Sequence, residues 1–211
     1  MTVQLVGSIS SPNASLVIAV FDARSATDWV HTKPAATKAQ FSGHPAEILR
    51  GLAKGEDATA LDVGPSSGFA FALDGASGRI EVYRTDNGML AFVGPPRAWW
   101  IEQHADRATD IEAMFAEALS GDLDDATEVG PLELASGKLA AVYQWHKKVG
   151  SARDLAAAMP TGGAIACGDG YGEAGGLIVD VGAGTFMLSR REIAAPWNSQ
   201  LAVVAMCLAR A

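Results

Sequence analysis

The chain has 211 residues, with 49% hydrophobic and 19% charged residues and a formal net charge of −8. This composition excludes wholesale disorder, and the length suits one large domain or two small ones. The acidic balance, with adjacent basic residues only at 147–148 and 190–191, excludes a surface that follows nucleic-acid phosphates. We therefore expect no nucleic-acid binding, whereas an acidic surface suits a basic protein partner.

The first residues and the longest apolar run bear on location. Residues 1–5 show no basic region followed by an apolar stretch, so they do not resemble a signal peptide. Residues 201–209 form the longest apolar run, about half a membrane span, so we expect no membrane insertion. Cys167 and Cys207 lie in apolar contexts and are expected to be buried free thiols. These features predict a cytoplasmic protein.

Short apolar runs broken by glycines predict β-strands in the first part of the chain, beginning with residues 16–21 and 65–71. Around residue 80, Ile80 and Val82 alternate with more polar neighbours, which is typical of a strand with one buried face. Asn87-Gly88 predicts a hairpin turn, because glycine adopts a positive φ without steric cost.

One long helix is predicted at residues 97–120. Pro95-Pro96 precedes this segment and Gly121 follows it, and its apolar residues recur at helical spacing. The remaining positions are mostly acidic, so we expect an amphipathic helix with a solvated acidic face, covering a face or an edge of a sheet. Shorter helices are predicted at residues 44–53 and 151–159.

The second half repeats the order of elements in the first half. Four pairs of segments correspond: 16–21 with 138–143, 65–71 with 160–166, 78–82 with 176–180, and 88–92 with 184–188. This order predicts an internal duplication, with chance similarity among glycine-punctuated strands as the alternative. Residues 201–208 are predicted to be a buried closing strand, with a buried helix as the alternative.

These patterns predict a mainly β fold, at the margin of the α+β class. We expect two tandem, related, antiparallel β-sandwich-like lobes with one long amphipathic helix. The first lobe would span residues 1–121 with its helix at 97–120, residues 122–127 would form the linker, and the second lobe would span 128–211.

Several motifs resemble catalytic or ligand-binding sites, but the residues around them do not fit such sites. Residues 170–175 fit the G-x-G-x-x-G pattern, but a strand pattern follows at 177–181 where a dinucleotide site needs a helix. The four histidines are not paired at ligand spacing, and the acids of residues 122–125 lack the glycine and terminal glutamate of a calcium loop. Cys167 with His146 as its base is a weaker hypothesis for a nucleophile. We predict no catalytic residue, no metal and no cofactor.

Two stretches resemble known bacterial proteins. Residues 16–21, followed by Asp28-Trp29 and then by residues 41–43, resemble the opening of the competence protein J family of nuclease inhibitors. Residues 130–140 and 180–186 resemble the first strands and the late Gly-Thr-Tyr hairpin of small bacterial immunity-type β-proteins, with Phe186 in place of the tyrosine. The resemblance implies a β-sandwich that works by binding, by neutralising a toxic enzyme, and it implies no catalytic residue.

The favoured function is therefore a non-enzymatic binding protein of the immunity or inhibitor kind, directed at a basic protein. The predicted partner-binding residues are two tryptophans and six acids: Trp29, Trp145, Asp106, Asp110, Glu117, Asp122, Asp124 and Asp125. The alternative is a small-molecule-binding protein or hydrolase with a site in a groove between the lobes, near Trp145, Asp169, Tyr171 and Glu173. A third hypothesis is a structural role through self-association as a homo-oligomer.

Overall fold

A computed structural model describes residues 2–10, 16–29, 48, 52, 57–73, 78–143, 154, 156–157, 159–167 and 175–211 of the chain. Within these residues the fold is mainly β, as predicted, and its strands form two antiparallel sheets. The strands are β1 Val3–Ser10, β2 Leu16–Asp22, β3 Ala58–Val63, β4 Ser66–Leu73, β5 Arg79–Thr85, β6 Leu90–Gly94, β7 Thr127–Leu134, β8 Lys138–Tyr143, β9 Ala164–Cys167, β10 Gly176–Asp180, β11 Gly184–Ala195 and β12 Asn198–Arg210.

The strand order is symmetric within each sheet. The first sheet has the order β1-β5-β6-β12-β11-β7, and the second has the order β3-β4-β2-β8-β10-β9. If β7 to β12 are numbered as equivalents of β1 to β6, the order of strands in each sheet is the same from either edge. The central pairs are β6 with β12 and β2 with β8, so each centre joins a strand of one half to its counterpart.

The chain divides into two compact units, each built from separate stretches. The first unit contains residues 1–16, 73–131 and 186–211, and the second contains residues 17–72 and 132–185. These units differ from the tandem lobes 1–121 and 128–211 expected from the sequence, because each half contributes three strands to each sheet. The repeated order of elements does not indicate which sheet a strand joins, since that depends on its hydrogen-bonding partner. Duplication in the sequence stays a prediction.

The helical segment of the first unit is divided. Helix α1 spans Arg97–Gln103, a 3₁₀ turn spans Ala105–Arg107, and helix α2 spans Ala108–Ala118. The single helix predicted at 97–120 is therefore wrong in its continuity. His104 leaves the helical region, with φ −137° and ψ 57°, and its ring packs against Trp100 at 5.5 Å and Trp197 at 6.0 Å between centroids. Tertiary ring contacts thus take the place of helical geometry at this residue.

Both helices pack on one face of the first sheet. Alternate residues of β6 and β12 face them, and Trp100 of α1 belongs to the same buried cluster as Phe115 of α2. The main members of this cluster are Tyr83, Met89, Ala91, Val93, Trp100, Ile111, Met114, Phe115, Ala118, Val203, Ala205 and Cys207. The helices therefore cover a sheet face, as the amphipathic pattern predicts.

The second unit has its own core on one face of the second sheet. Alternate residues of β2 and β8 contribute to it, together with a 3₁₀ helix at Ala23–Asp28. The main members are Val17, Ala19, Phe21, Ala23, Ala26, Trp29, Ile48, Leu61, Val63, Ala140, Val142, Ile178 and Met159. Within the shorter helices predicted at 44–53 and 151–159, Ile48, Leu52, Asp154, Ala156 and Ala157 are helical, whereas Met159 is not.

Several local predictions are confirmed. Residues 201–208 lie in β12, so the closing segment is a strand and not a helix. Gly88 has φ +83°, and its N–H donates to the Thr85 carbonyl at 3.0 Å in the turn between β5 and β6. Cys167 and Cys207 are buried and form no disulfide. Among the described residues, no helix combines the length and the apolar character needed to cross a membrane. The glycine-rich stretch 170–174 lies outside the described residues.

Two glycines of the second sheet permit close packing of its strands. A Cβ atom on Gly68 of β4 would lie 2.7 Å from the Val20 carbonyl oxygen of β2. A Cβ atom on Gly176 of β10 would lie 2.6 Å from the Cys167 sulfur and 3.1 Å from the Ala141 carbonyl oxygen of β8. Strands β4 and β10 flank the central pair of the second sheet from opposite sides, so both positions exclude a side chain for a steric reason.

We expect Gly68→Ala to lower the free energy of unfolding by about 1–3 kcal/mol, because the new methyl group would meet a backbone atom that cannot move aside cheaply. The matched control is Ser67→Ala at the neighbouring exposed position of β4, which should change stability by about 0.5 kcal/mol or less. Urea unfolding followed by circular dichroism measures both. Equal stability of the two variants would contradict the steric explanation.

Candidate functional site

The negative charge of the protein is concentrated in one segment of the first unit. Residues 97–128, named here the acidic segment, contain nine acidic and two basic residues, a net charge of −7 against −8 for the whole chain. The remaining 179 residues are therefore almost neutral. All six acids predicted to bind a partner belong to this segment. Asp106, Glu117, Asp122, Asp124 and Asp125 are exposed, and Asp110 is half-buried.

A buried carboxylate of the sheet holds the start of α1. The N-cap residue of α1 is Pro96, whose side chain makes no capping bond. Instead, Oε2 of Glu81 in β5 accepts a hydrogen bond from the Arg97 N–H at 3.1 Å and from the Tyr83 hydroxyl at 2.6 Å. Glu81 is only 9% exposed. A carboxylate suits this position, because the N–H groups of a first helical turn lack partners and carry partial positive charge.

A buried guanidinium of the sheet holds the end of α2. Nη1 of Arg191 in β11 lies 2.8 Å from the Glu117 carbonyl, 2.5 Å from the Ser120 hydroxyl and 2.8 Å from the Asp122 carbonyl. Arg191 is only 6% exposed. A cation suits the carbonyl end of a helix for the same electrostatic reason that an anion suits its start. The sheet thus fixes both ends of the helical segment.

Burial controls the titration of two groups near these charges. The pKa of Tyr83 is raised well above its usual value of 10.0, chiefly by burial and then by its hydrogen bond to the Glu81 carboxylate. Burial raises the pKa of the Cys207 thiol to about 11, and the nearby charge of Arg191 offsets part of this rise. Both groups are therefore protonated at neutral pH, and Cys207 is a poor nucleophile.

A groove of about 540 Å³ lies in the first unit beside α2. Its apolar lining comes from β1, β5 and α2, namely Val3, Tyr83, Phe115, Ala116 and Leu119. An ion pair between Arg97 and Glu112, with Nη2 and Oε1 2.5 Å apart, also lines it, as does Ser120. The volume falls in the range of sites that take a small molecule or several side chains.

A smaller cavity of about 220 Å³ in the second unit is lined by Arg24, Ser136 and Lys138 together with three alanines. The two basic side chains of this cavity already interact with other groups of the chain. The Lys138 ammonium donates to the carbonyls of Ala156 and Met159, and Nε of Arg24 lies 3.6 Å from the buried carboxylate of Asp22. These bonds give the two basic side chains structural roles.

The structure separates the predicted site residues. The six acids share the acidic segment of the first unit, whereas Trp29 belongs to the core of the second unit. Trp29 is 8% exposed and stacks on Phe21 with ring centroids 5.4 Å apart, so it presents little surface to a partner. Trp145, Asp169, Tyr171 and Glu173 lie outside the described residues, and so does the alternative groove that they were predicted to form.

The residues that position the acidic segment were missed by sequence reasoning. Alternation along β5 places Glu81 and Tyr83 opposite Ile80 and Val82, which suggests a solvated face. The structure buries both faces, because the helices cover the side of Glu81 and Tyr83. The sequence could have indicated the position of Arg191. Arg191 and Ile193 are two residues apart in β11 and therefore lie on the same face, and Ile193 packs against the helix-covered cluster.

Neither a protein-family model, nor a curated protein, nor a solved structure matches this chain. The resemblance to nuclease inhibitors and immunity-type proteins therefore stays a prediction. Within the described residues, no three His, Cys, Asp or Glu side chains are grouped so that they could hold a metal ion.

We expect Arg191→Met to lower the free energy of unfolding by about 2–4 kcal/mol, because it leaves buried acceptors at the end of α2 without their donor. The control is Arg190→Met at the next position, where the half-exposed pair with Glu192 should contribute about 1 kcal/mol or less. Thermal or urea unfolding compares the two variants. A loss for Arg190→Met as large as that for Arg191→Met would contradict the capping role.

We expect Tyr83→Phe to reduce the sensitivity of the protein to alkali. The unfolded chain ionises Tyr83 near pH 10, whereas the folded chain, with its raised pKa, retains the proton. The contribution of Tyr83 is therefore complete below pH 10 and is lost as the pH rises further. Between about pH 9 and about pH 11, the free energy of unfolding should fall more steeply for the wild type than for the variant. Cys207 is present in both proteins, so its contribution cancels; parallel curves would refute this expectation.

Proposed function

We propose that this chain is a non-enzymatic binding protein that uses its acidic segment to dock a basic protein, in the manner of an immunity or inhibitor protein. The observation that carries the proposal is the concentration of charge: residues 97–128 hold a net charge of −7 on a chain of −8. A nearly neutral body with one strongly acidic segment has a directional field, which orients an approaching cation.

The hydrogen bonds that fix both ends of the acidic segment favour a role in partner binding over a role in solubility alone. An acidic helix that only confers solubility needs no fixed position, whereas both ends of this one are bonded to buried charges of the first sheet. Fixed carboxylates lose less conformational entropy on binding than mobile ones, so more of their interaction energy is available for affinity. The acids also lie on the surface, where complementary charge mainly raises the association rate and the specificity.

The alternative function, a small-molecule-binding protein or hydrolase near Asp169, Tyr171 and Glu173, involves residues outside the described part of the chain. It therefore receives no support from contacts or distances. Self-association remains a hypothesis to be tested by sedimentation.

We expect charge reversal in the acidic segment to abolish capture of a basic partner. The full-length protein, immobilised, is exposed to a lysate of the source cells at about 50 mM salt and eluted at about 0.5 M, since screening weakens exposed charge pairs. The variant Asp124→Lys/Asp125→Lys changes two exposed acids of the segment. The control, Asp62→Lys/Glu133→Lys, makes the same change in net charge at two exposed acids of the second unit.

The expected result is one or a few basic proteins that the wild type and the control retain at low salt and the first variant loses. Mass spectrometry of the eluates identifies and quantifies them. Equal loss of the partner by both double variants would show that only net charge matters, and the absence of any enriched basic protein would refute the proposed function directly.

A further inference from the structure

We propose that the groove beside α2 receives a large apolar side chain from the basic partner, within a short segment that also carries lysine or arginine. This inference rests on the proposed function and assigns the place where the partner is anchored. Its basis is the apolar lining of the groove, an exposed leucine beside it and the carboxylates around it.

The first observation is Leu5. Among the described residues it is the one large hydrophobic side chain that is exposed, at 49%. Leu5 pairs with Tyr83 in the ladder between β1 and β5, and residues directly opposite in a ladder share a sheet face. Tyr83 lines the groove, so the exposed leucine continues the apolar surface of the groove onto the edge strand β1.

The second observation concerns the polar groups of the groove, which are already bonded within the chain. Arg97 is paired with Glu112, the Tyr83 hydroxyl donates to Glu81, and the Ser120 hydroxyl contacts Arg191. These internal bonds already satisfy part of the polar capacity of the groove, so an apolar occupant need not break any of them. An apolar side chain would contact chiefly Val3, Ala116 and Leu5, because Tyr83, Phe115 and Leu119 line the groove but are largely buried.

The third observation is the charge around this apolar surface. The positive charge of Arg97 is neutralised by Glu112 at 2.5 Å. Glu117 follows Ala116 on α2, and Asp122 lies beyond the end of that helix; both are exposed. Helix α2, whose Ala116 lines the groove, carries the acids Asp110, Glu112 and Glu117 and no basic residue, so this surface combines an apolar part with negative charge. It matches a segment with one large apolar residue flanked by basic residues.

The test fills the groove without disturbing the core. Ala116 lines the groove but is exposed, so Ala116→Trp places an indole in the space that the partner side chain would occupy. The control is Ala135→Trp, at an exposed alanine outside the acidic segment that does not line the groove. The probe is a library of random short peptides, selected for binding to the full-length wild-type protein at low salt.

The selection should enrich peptides that carry an aromatic or large aliphatic residue next to lysine or arginine. Titration by fluorescence anisotropy should show that Ala116→Trp weakens their binding by about tenfold or more, whereas Ala135→Trp leaves it unchanged. Selected peptides that bind Ala116→Trp as tightly as the wild type would overturn the inference, as would purely basic peptides or no enrichment. Sedimentation showing a dimer that Ala116→Trp dissociates would assign the groove to a second copy and also overturn it.

The two proposals fail in different ways. If Asp124→Lys/Asp125→Lys abolishes capture of the basic partner but Ala116→Trp does not reduce it, the groove is not the anchor and the binding function stands. If neither the charge reversal nor the control affects capture, the proposed function fails irrespective of the peptide result.

Discussion

The acidic segment depends on two buried charges of the first sheet. Glu81 accepts from the start of α1, Arg191 donates to the end of α2, and both side chains are more than nine-tenths buried. A buried charge without hydrogen-bonding partners is costly. The helix ends therefore stabilise these two buried charges, and the buried charges stabilise the helix ends. Hydrogen bonds are directional, and apolar packing is not. This pair of contacts therefore fixes where the helices lie more narrowly than the apolar cluster beneath them does.

The same placement produces both features on which the functional proposals depend. Fixing α2 on the sheet turns Ile111, Met114 and Phe115 inward, and it leaves the carboxylates of the segment at the surface. It also leaves the groove between α2 and strands β1 and β5, with Leu5 exposed beside it. Charge and apolar surface thus occur side by side in one unit, which is the combination that distinguishes a specific docking surface from a merely soluble one.

The two halves of the chain are joined through the centre of each sheet. The ladder between β6 and β12 crosses the middle of the first sheet, and the ladder between β2 and β8 crosses the middle of the second. Each half thus supplies three strands to each sheet, and the central ladder of each sheet joins the two halves. Neither half contains a complete sheet, which explains why the units are discontinuous and why the expected separation at residues 122–127 does not divide them.

Several local features could be predicted from the sequence: the strand around residue 80, the strand at residues 201–208, the Asn87-Gly88 turn, helical character within residues 97–120, the burial of both cysteines and the acidity of the segment. These follow from periodicity, turn chemistry and composition, which act over a few residues. Only the tertiary structure decided the sheet to which each strand belongs, the break at His104 and the roles of Glu81 and Arg191. Each of these depends on residues that are far apart in the chain. The partner of a strand and the counterpart of a buried charge come into contact only when the whole fold forms.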